Sequence, residues 1–410
     1  MSTILQPLKA QTGVILVTTL LLLILLTGVG LTSLAAFGVN RSQSQNLLST
    51  KQAFQLADAG IQYAQKYLNQ HQSLWSTYAS ATPQTLIPST TLTGLGTFTV
   101  SVQDGGNGSL QVTSTGTASN NSQAVIAGLV VIGPYVPEDA VTVDQDLSIS
   151  GSATIAGSNG GVHTNTNLTI SGSPSISTNA TAYLSYTVTG APQVAGVAAG
   201  NQTIAAIPLI QANSFYASRD YLLSWDGNVY DQAGIAQPLS GGKWNCWSFN
   251  STTMTWTLSC APTVNRTLYF QTDVSISVNV GTTQSPWITT IIAEGSIDLT
   301  AQSLVARAPT PADGALFKSG TQNFLFISDK DIHIGSLSGG NLTGIVVAFE
   351  QVSIEGNPTM YGHVVAQDGA TLSSLVTANS LSGGLNLTWN GDLPLPAILK
   401  TAQIRTWKAL

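Results

Sequence analysis

The first pattern in the chain is an uninterrupted apolar segment near its start. Residues 10–40 carry no charged side chain, and Lys9 and Arg41 lie on either side of them. A membrane-spanning helix needs about 20 predominantly apolar residues, so this segment is long enough to be one. The charges before it favour a cytoplasmic N-terminus. A cleaved signal peptide, with residues 14–26 as its apolar core and residues 34–36 as its cleavage site, is the alternative interpretation.

The next segment, residues 47–75, has the apolar spacing of an amphipathic helix. Its stripe side chains alternate steps of three and four residues, which places them on one face of an α-helix. Such a face either packs on the chain's own globular domain or forms a helix–helix seam in an assembly. The stripe consists of Leu47, Thr50, Phe54, Ala57, Ile61, Ala64, Leu68, His71 and Trp75.

Alternating apolar and polar residues then indicate strands. The runs 98–102, 110–116 and 124–132 are separated by short polar segments, and the first two flank the Gly-rich turn 104–108. This pattern predicts a small antiparallel sheet. Three strands need a partner surface to be stable, and the amphipathic helix offers one.

The C-terminal part contains a repeated nine-residue unit with a largely apolar triplet, a polar turn and an apolar-polar-apolar triplet. Most intervals between neighbouring copies are about 20 residues, which is typical of a parallel β-solenoid, also called a β-helix. Two longer intervals predict a subdomain inserted at 181–265 and a loop inserted around 306–320. The copies begin at Val141, Val162, Leu268, Ile291, Phe326, Val346 and Val364.

Composition narrows the class of protein. Charged residues make up 8% of the chain, against about 25% in typical soluble domains, and apolar residues make up 43%. This composition favours a β-rich extracellular protein whose solubility comes from hydroxyl and amide groups. The net charge of −6 and the absence of any Lys and Arg cluster argue against a nucleic-acid partner.

The polar corners of the repeat carry acidic residues. Stacked carboxylates can bind calcium or form the acid pair of a glycosidase, but Asp and Asn also simply suit tight turns. Because these acids do not recur at one fixed corner position, we expect solvated turn residues, no metal, no cofactor and no catalysis. The acids are Asp144, Asp146, Asp273, Glu294, Asp329, Asp331, Glu350 and Asp368.

The insert 181–265 is rich in aromatic residues and contains both cysteines. Its tryptophans either bind a surface ligand, such as carbohydrate or a partner protein, or form a small core of their own. A hairpin turn near Thr253 places Cys246 opposite Cys260, so we expect a disulfide in an oxidising compartment. The tryptophans are Trp225, Trp244, Trp247 and Trp256.

Residues 10–70 resemble the N-terminal region of PilX-type minor pilins, which are type IV pilus assembly proteins. The resemblance rests on QTGVILV from Gln11, the leucine run that follows, and KQAFQLADAGI from Lys51. It implies cleavage by a prepilin peptidase between Gly13 and Val14. It also implies a long helix, half in the membrane and half amphipathic. The fifth mature residue is then Thr18, where the family places Glu.

These expectations give one domain plan. A leader 1–13 precedes a helix whose transmembrane half is 14–36 and whose amphipathic half is 37–80. A pilin-like sheet (81–137), a β-solenoid (138–375) containing the insert, and a C-terminal cap (376–410) follow.

The expected function is that of a minor-pilin-like structural protein, which is anchored in the inner membrane and later displays the solenoid on a pilus or related secretion filament for assembly or adhesion. Its partners are then other pilin-like subunits, the prepilin peptidase and the inner membrane. A membrane-tethered β-helix enzyme acting on polysaccharide and a secreted adhesin unrelated to pili are the alternatives.

Overall fold

The computed structural model describes residues 12–71, 74–106, 109–208, 211–317, 319–367, 375–393 and 400–409. Helix α1 spans Thr12–Gln70, and a short helix α2 spans Trp75–Tyr78. The amphipathic helix predicted for 47–75 therefore ends at Gln70 instead of continuing through Trp75. At about 1.5 Å per residue, the 59 residues of α1 make it the longest single element of the described chain.

The C-terminal half of α1 packs on a five-stranded antiparallel sheet. Four strands follow one another as a meander, and the C-terminal strand Lys400–Ala409 pairs with the fourth. Buried apolar side chains of the helix, including Leu56, Ile61 and Leu68, form one core with the inner face of the sheet. The meander strands are β1 (Gln84–Leu92), β2 (Gly96–Gly106), β3 (Ser109–Ala118) and β4 (Gln123–Pro134).

Helix α1 approaches β3 so closely that a side chain at Gly116 would not fit. A Cβ atom on Gly116 would collide with the carbonyl oxygen of Ala53 and the backbone nitrogen of Ala57. Small residues on both elements therefore set the helix–sheet distance. The sheet covers the C-terminal part of the helix half that the sequence predicts as amphipathic.

The rest of the chain is a three-sided parallel β-solenoid, and the predicted mainly β fold with a long N-terminal helix, an antiparallel sheet and large parallel sheets is confirmed. Each coil supplies one strand to each of three sheets, here called faces 1, 2 and 3.

The coils formed by described residues are numbered in chain order, with their strands on faces 1, 2 and 3 given in turn. They are coil 1 (Val141–Val143, Leu147–Ile149, Thr154–Ala156), coil 2 (Val162–Thr164, Asn167–Gly172, Ser175–Ile176), coil 3 (Ala180–Ala182, Ser185–Gly190, Gln193–Val194), coil 4 (Thr267–Phe270, Asp273–Ile276, Trp287–Ile288), coil 5 (Thr290–Ala293, Ile297–Leu299, Val305–Arg307), coil 6 (Phe324–Ser328, Ile332–Leu337, Asn341–Thr343), coil 7 (Ile345–Ala348, Val352–Gly356, Thr359–Tyr361) and coil 8 (Val364–Ala366, Asn379–Leu381, Asn386–Thr388).

The order of coils in the stack differs from their order in the chain. Hydrogen bonding runs through coils 3, 2, 1, 8, 7, 6, 5 and 4, so the chain enters in the middle. Val141 of coil 1 pairs with Val364 of coil 8. The first and last coils are therefore neighbours in the stack. Coil 1 directly follows β4 in the chain, and coil 8 precedes the strand Lys400–Ala409, which pairs with β4.

The region 181–265 is therefore not an inserted subdomain. Residues 180–199 build coil 3 and a further face 1 strand, Ala198–Ala199. Residues 221–258 form hairpins at the opposite end of the stack, with strands Tyr221–Leu223, Val229–Asp231, Lys243–Trp244, Trp247–Asn250 and Thr255–Leu258. The long interval between repeats arises because the chain leaves one end of the stack and restarts at the other.

The crossing segment, of which residues 200–208 and 211–220 are described, is here called the strap, and it runs over the outer side of face 1. It includes a 3-10 helix, Ala212–Ser218. Phe215 of the strap packs edge-on against Phe324, with ring centroids 5.4 Å apart. Because the strap covers face 1, both sides of its strands are buried there, as in the fully buried strand Ile345–Ala348. This explains why the first triplet of the repeat is largely apolar.

Face 2 keeps one side towards solvent, and its strands alternate accordingly. Ile332 and Ile334 point into the core and are fully buried, whereas His333 between them is not. Other segments interrupt the coils, among them the 3-10 helices Pro311–Leu316 and Ser319–Thr321 between coils 5 and 6. These lie in the predicted loop around 306–320.

A column of glycines lets successive coils turn after face 2. Gly172 has φ +80°, and a Cβ atom on it would lie 2.5 Å from the carbonyl oxygen of Gly151 in the next coil. Left-handed backbone and close contact both require glycine there. In stack order the column is Gly190, Gly172, Gly151, Gly383 and Gly356.

The C-terminal segment 376–410 does not form a separate cap. Residues 379–388 belong to coil 8, and the strand Lys400–Ala409 completes the antiparallel sheet. Its pairing partner β4 is more than 250 residues earlier in the chain, which is why no local pattern predicts it.

Candidate interaction surfaces

The N-terminal half of α1 is an apolar surface that no described residue covers. Leu22, Leu25 and Leu34 expose 61%, 64% and 72% of their surface. By length and composition, the helix is long and apolar enough to cross a membrane. Its most apolar stretch of 18 residues has a mean hydropathy of 2.4, and no residue of that stretch is buried. A bare apolar helix of this length needs lipid or other helices around it.

The predicted leader and cleavage point lie at the start of this helix. Residues 1–11 are outside the described part of the chain, and α1 begins at Thr12, so the bond between Gly13 and Val14 falls in its first turn. Cleavage of this bond stays a prediction. Thr18, at the fifth mature position, lies in the apolar half of the helix.

The predicted helix stripe divides into a covered and an uncovered part. Ala57, Ile61, Ala64 and Leu68 are buried under the sheet, whereas Leu47 is 74% exposed. The helix therefore leaves the sheet before it reaches the membrane-type segment.

An ion pair joins α1 to the solenoid. Lys66 Nζ lies 2.6 Å from Asp144 Oδ2, and the Asp144 side chain is 9% exposed. Asp144 also accepts a hydrogen bond from Asn165 Nδ2 at 2.8 Å. Beside this contact lies a crevice of about 440 Å³ between the helix, the sheet and coils 1–3, lined by residues that include Tyr63, Tyr67 and Leu184.

A buried histidine lies where the sheet meets the solenoid. The Tyr135 hydroxyl lies 3.0 Å from His363 Nε2, and His363 is completely buried. Burial lowers the pKa of His363 to about 3, so its ring is neutral. Burial, with the charge of Glu138, raises the pKa of the nearby Asp139 carboxyl to about 6. These groups hold the junction together and were not singled out by the sequence pattern.

The corner acids form cross-coil contacts. Asp331 is fully buried and accepts hydrogen bonds from the Gln351 N–H at 3.1 Å and the Val376 N–H at 3.0 Å. Asp329 lies beneath the strap, where it accepts the Ala212 N–H, and burial raises its pKa to about 6. The expectation of solvated turn residues is therefore wrong for Asp144, Asp331 and Glu350, which are buried.

Other corner acids are more open to solvent. Asp146 is exposed, whereas Asp273 and Glu294 are half-buried. Asp368 lies outside the described residues. Among the described residues, no three His, Cys, Asp or Glu side chains are grouped so that they could hold a metal ion.

Only one of the four singled-out tryptophans is available for a partner. Trp225 is 61% exposed in a tight hairpin turn, whereas Trp244, Trp247 and Trp256 are buried. The Trp247 and Phe270 ring centroids are 4.8 Å apart, so the buried rings continue the solenoid core. The predicted partner contacts of Trp244, Trp247 and Trp256 are wrong, because these rings cover coil 4 at the end of the stack.

A disulfide ties the two hairpin ends of this cap together. Cys246 and Cys260 are bonded, with their Cα atoms 5.2 Å apart. The Ser259 N–H also donates to the Cys246 carbonyl oxygen at 2.9 Å. The two strands between them turn through residues 251–254.

Face 2 carries a row of polar side chains on the side opposite the core, one from each of ten neighbouring strands. The single charged pair in this row is Asp298 and His333, with Asp298 Oδ1 2.8 Å from His333 Nδ1. The hydrogen bond to Asp298 raises the pKa of His333. The row, in stack order, is Thr187, Thr169, Ser148, Ser380, Ser353, His333, Asp298, Ser275, Thr257 and Ser248.

Comparison with known proteins finds similarity to a solved structure and no similarity to a family model or a curated protein. The competence-associated pilin ComZ from Thermus thermophilus is similar over 88% of this chain and 98% of its own, with 11% sequence identity and a TM-score of 0.33. That TM-score is too low for the likeness to bear on function.

Proposed function

We propose that the chain is a membrane-anchored structural subunit of a pilus-related filament, with the solenoid displayed outside the membrane. The observation that carries this proposal is the division of one continuous helix. The apolar half of α1 is bare, and the other half is fixed to the sheet.

The division separates anchoring from display. The apolar half has the length and composition to span a bilayer. Neighbouring apolar helices could take the place of the lipid around it, because both surroundings are apolar. The half that is fixed to the sheet carries the rest of the chain, through the Lys66–Asp144 pair and the strand Lys400–Ala409.

The resemblance to PilX-type minor pilins makes the proposal more specific. The Gly13–Val14 bond is the expected site for the prepilin peptidase, and other pilin-like subunits are the expected neighbours of the helix. The solenoid has the role of a contact surface for assembly or adhesion, and we assign it no catalytic role. Asp329, a carboxyl with a raised pKa, lies under the strap, which does not favour a polysaccharide-cleaving role.

Recovery of surface filaments tests the proposal. Filaments sheared from cells of the source organism should contain the subunit, and antibodies against the solenoid should label them in electron micrographs. Gly13→Leu should keep the subunit in the inner membrane, while Gly28→Leu, which has no neighbouring atom within 4 Å of the added side chain's Cβ, is the matched control. Filaments that form normally and never contain the subunit would contradict the proposal.

A further inference from the structure

The two ends of the solenoid differ in a way that bears on association. Beyond coil 4, the stack ends in antiparallel hairpins whose Trp247 and Trp256 are buried over the last coil. Beyond coil 3, the described chain adds only the two-residue strand Ala198–Ala199 on face 1. On faces 2 and 3, coil 3 is the terminal coil.

Coil 3 leaves its strand edges and core columns open. The face 2 strand Ser185–Gly190 pairs with coil 2 on one side and is the last strand of its sheet. Most of its residues are exposed. Gly200 lies against the backbone of its first two residues. At about 3.3 Å per residue, the rest of its edge, residues 187–190, is about 13 Å long and presents backbone N–H and C=O groups outward.

The interior of the solenoid also reaches the surface at this end. Val188 stacks on the fully buried Ile170, and Val194 stacks on the buried Ile176. Val188 is nevertheless 38% exposed, and Val197 nearby is 53% exposed. Val188 and Val194 continue the core columns and lack the next coil that would cover them, and Val197 adds a further exposed apolar side chain at the same end.

The terminal coil has none of the charged residues that usually protect an open edge. No Asp, Glu, Lys or Arg occurs between Asp146 and Arg219, a range that includes coils 2 and 3 entirely. Natural sheet edges are normally protected by charges, Pro or covering segments, because an unprotected edge pairs with other strands. The capped end, in contrast, carries Asp226, Asp231 and Lys243.

We infer that the coil 3 end is an interface for the same end of a second copy of this chain. The occupant has to offer a free strand edge, exposed apolar side chains and no charge, and the chain's own coil 3 meets all three conditions. A two-fold axis across this end pairs the two Ser185–Gly190 strands antiparallel. Because the opposite end is capped, association stops at a closed dimer.

Sedimentation of the purified full chain in detergent tests this inference. The wild type should have twice the protein mass of the variant Val188→Lys/Val197→Lys, because buried lysines would oppose the pairing. The matched control Ile235→Lys/Leu239→Lys changes exposed residues near the capped end and should remain dimeric. A wild-type monomer at every concentration, or a dimer that the Val188→Lys/Val197→Lys variant leaves intact, would overturn the inference.

Cross-linking locates the contact independently. Both native cysteines are in the disulfide, so a single introduced cysteine is the sole reactive thiol. With a short bis-maleimide, Val188→Cys should give a covalent dimer, and Met254→Cys, 40% exposed at the capped end, should not. Equal yields at the two positions would overturn the inference, since they would show that random collision or α1 brings the copies together.

Discussion

At the scale of single residues, alternation along face 2 separates core from surface. Ile354 is fully buried, and His333 is a partly exposed member of an ion pair. A buried aliphatic side chain contributes much more to the free energy of unfolding than a partly exposed ion pair does. Core and surface positions of the repeat should therefore respond very differently to substitution.

Replacement of Ile354 by alanine should lower the free energy of unfolding by about 2–5 kcal/mol, because it removes buried methyl groups and leaves a cavity. His333→Ala should cost less than about 1 kcal/mol, since partly exposed ion pairs contribute little. Urea denaturation of both variants measures the difference. Equal tolerance at the two positions would contradict the assigned alternation.

His363 should make stability depend on pH. Its pKa of about 3 in the folded chain lies below its ordinary value of about 6.5, so only the unfolded chain gains a proton between those values. The free energy of unfolding therefore falls as pH decreases from 6.5 to 3, by up to about 1.4 kcal/mol per pH unit. Denaturation of the wild type and His363→Gln across this range should give a flatter profile for the variant; parallel profiles would contradict the assignment.

Asp139 acts with the opposite sign. Its pKa is raised to about 6, so the folded chain holds a proton that the unfolded chain has released, and stability increases as pH falls through 6. The comparison with His363→Gln isolates the histidine, because Asp139 is present in both chains.

At the scale of elements, the sequence predicts what is local. The α1 helix, the antiparallel strands, the apolar-polar-apolar triplets and the loop between coils 5 and 6 all follow from spacing within short windows. The strap, the joining of coil 1 to coil 8 and the pairing of Lys400–Ala409 with β4 are contacts between distant segments. No periodicity specifies them. The tryptophans of 181–265 left two alternatives open, a core or a ligand surface, because an aromatic cluster looks the same whether it caps a core or faces a ligand.

The glycine column should be less tolerant than an ordinary glycine turn. Gly172 and Gly94 have nearly equal φ angles, +80° and +81°, but a Cβ at Gly172 would lie 2.5 Å from a backbone oxygen and one at Gly94 meets nothing within 4 Å. Gly94→Ala should cost about 1–2 kcal/mol for the left-handed backbone alone. Gly172→Ala should cost clearly more in thermal denaturation. Equal losses would show that adjacent coils shift apart easily.

The disulfide should stabilise the hairpin cap. The two cysteines are 14 residues apart, and closing a loop of that size contributes about 3 kcal/mol in the chain-entropy model. Because the cap continues the core of coil 4, Cys246→Ser/Cys260→Ser should lower the unfolding midpoint of that part of the solenoid. A reductant should do the same to the wild type and leave the double variant unchanged. A wild-type midpoint that a reductant does not move would contradict this contribution.

At the scale of the whole molecule, the chain combines a long helix, an antiparallel sheet and a solenoid. The sheet fixes the C-terminal half of the helix, and the solenoid is joined to the sheet at two neighbouring coils. The solenoid is therefore held by two chain crossings and by the Lys66–Asp144 contact. This arrangement suits a displayed surface that has to stay in place relative to its anchor. The domain plan read from the sequence has the right order of these parts, but it separates the C-terminal strand from the sheet to which it belongs.

The mass of the mature N-terminal peptide tests the central claim, that α1 is a processed, pilin-type anchor, most directly. The protein is isolated from membranes and sheared filaments and digested, and its first peptide is identified by mass spectrometry. The account predicts a chain that begins at Val14 and retains the whole apolar half of α1. A chain that begins near residue 36 and is recovered free of membranes would contradict it, because the helix would then be a removed signal peptide.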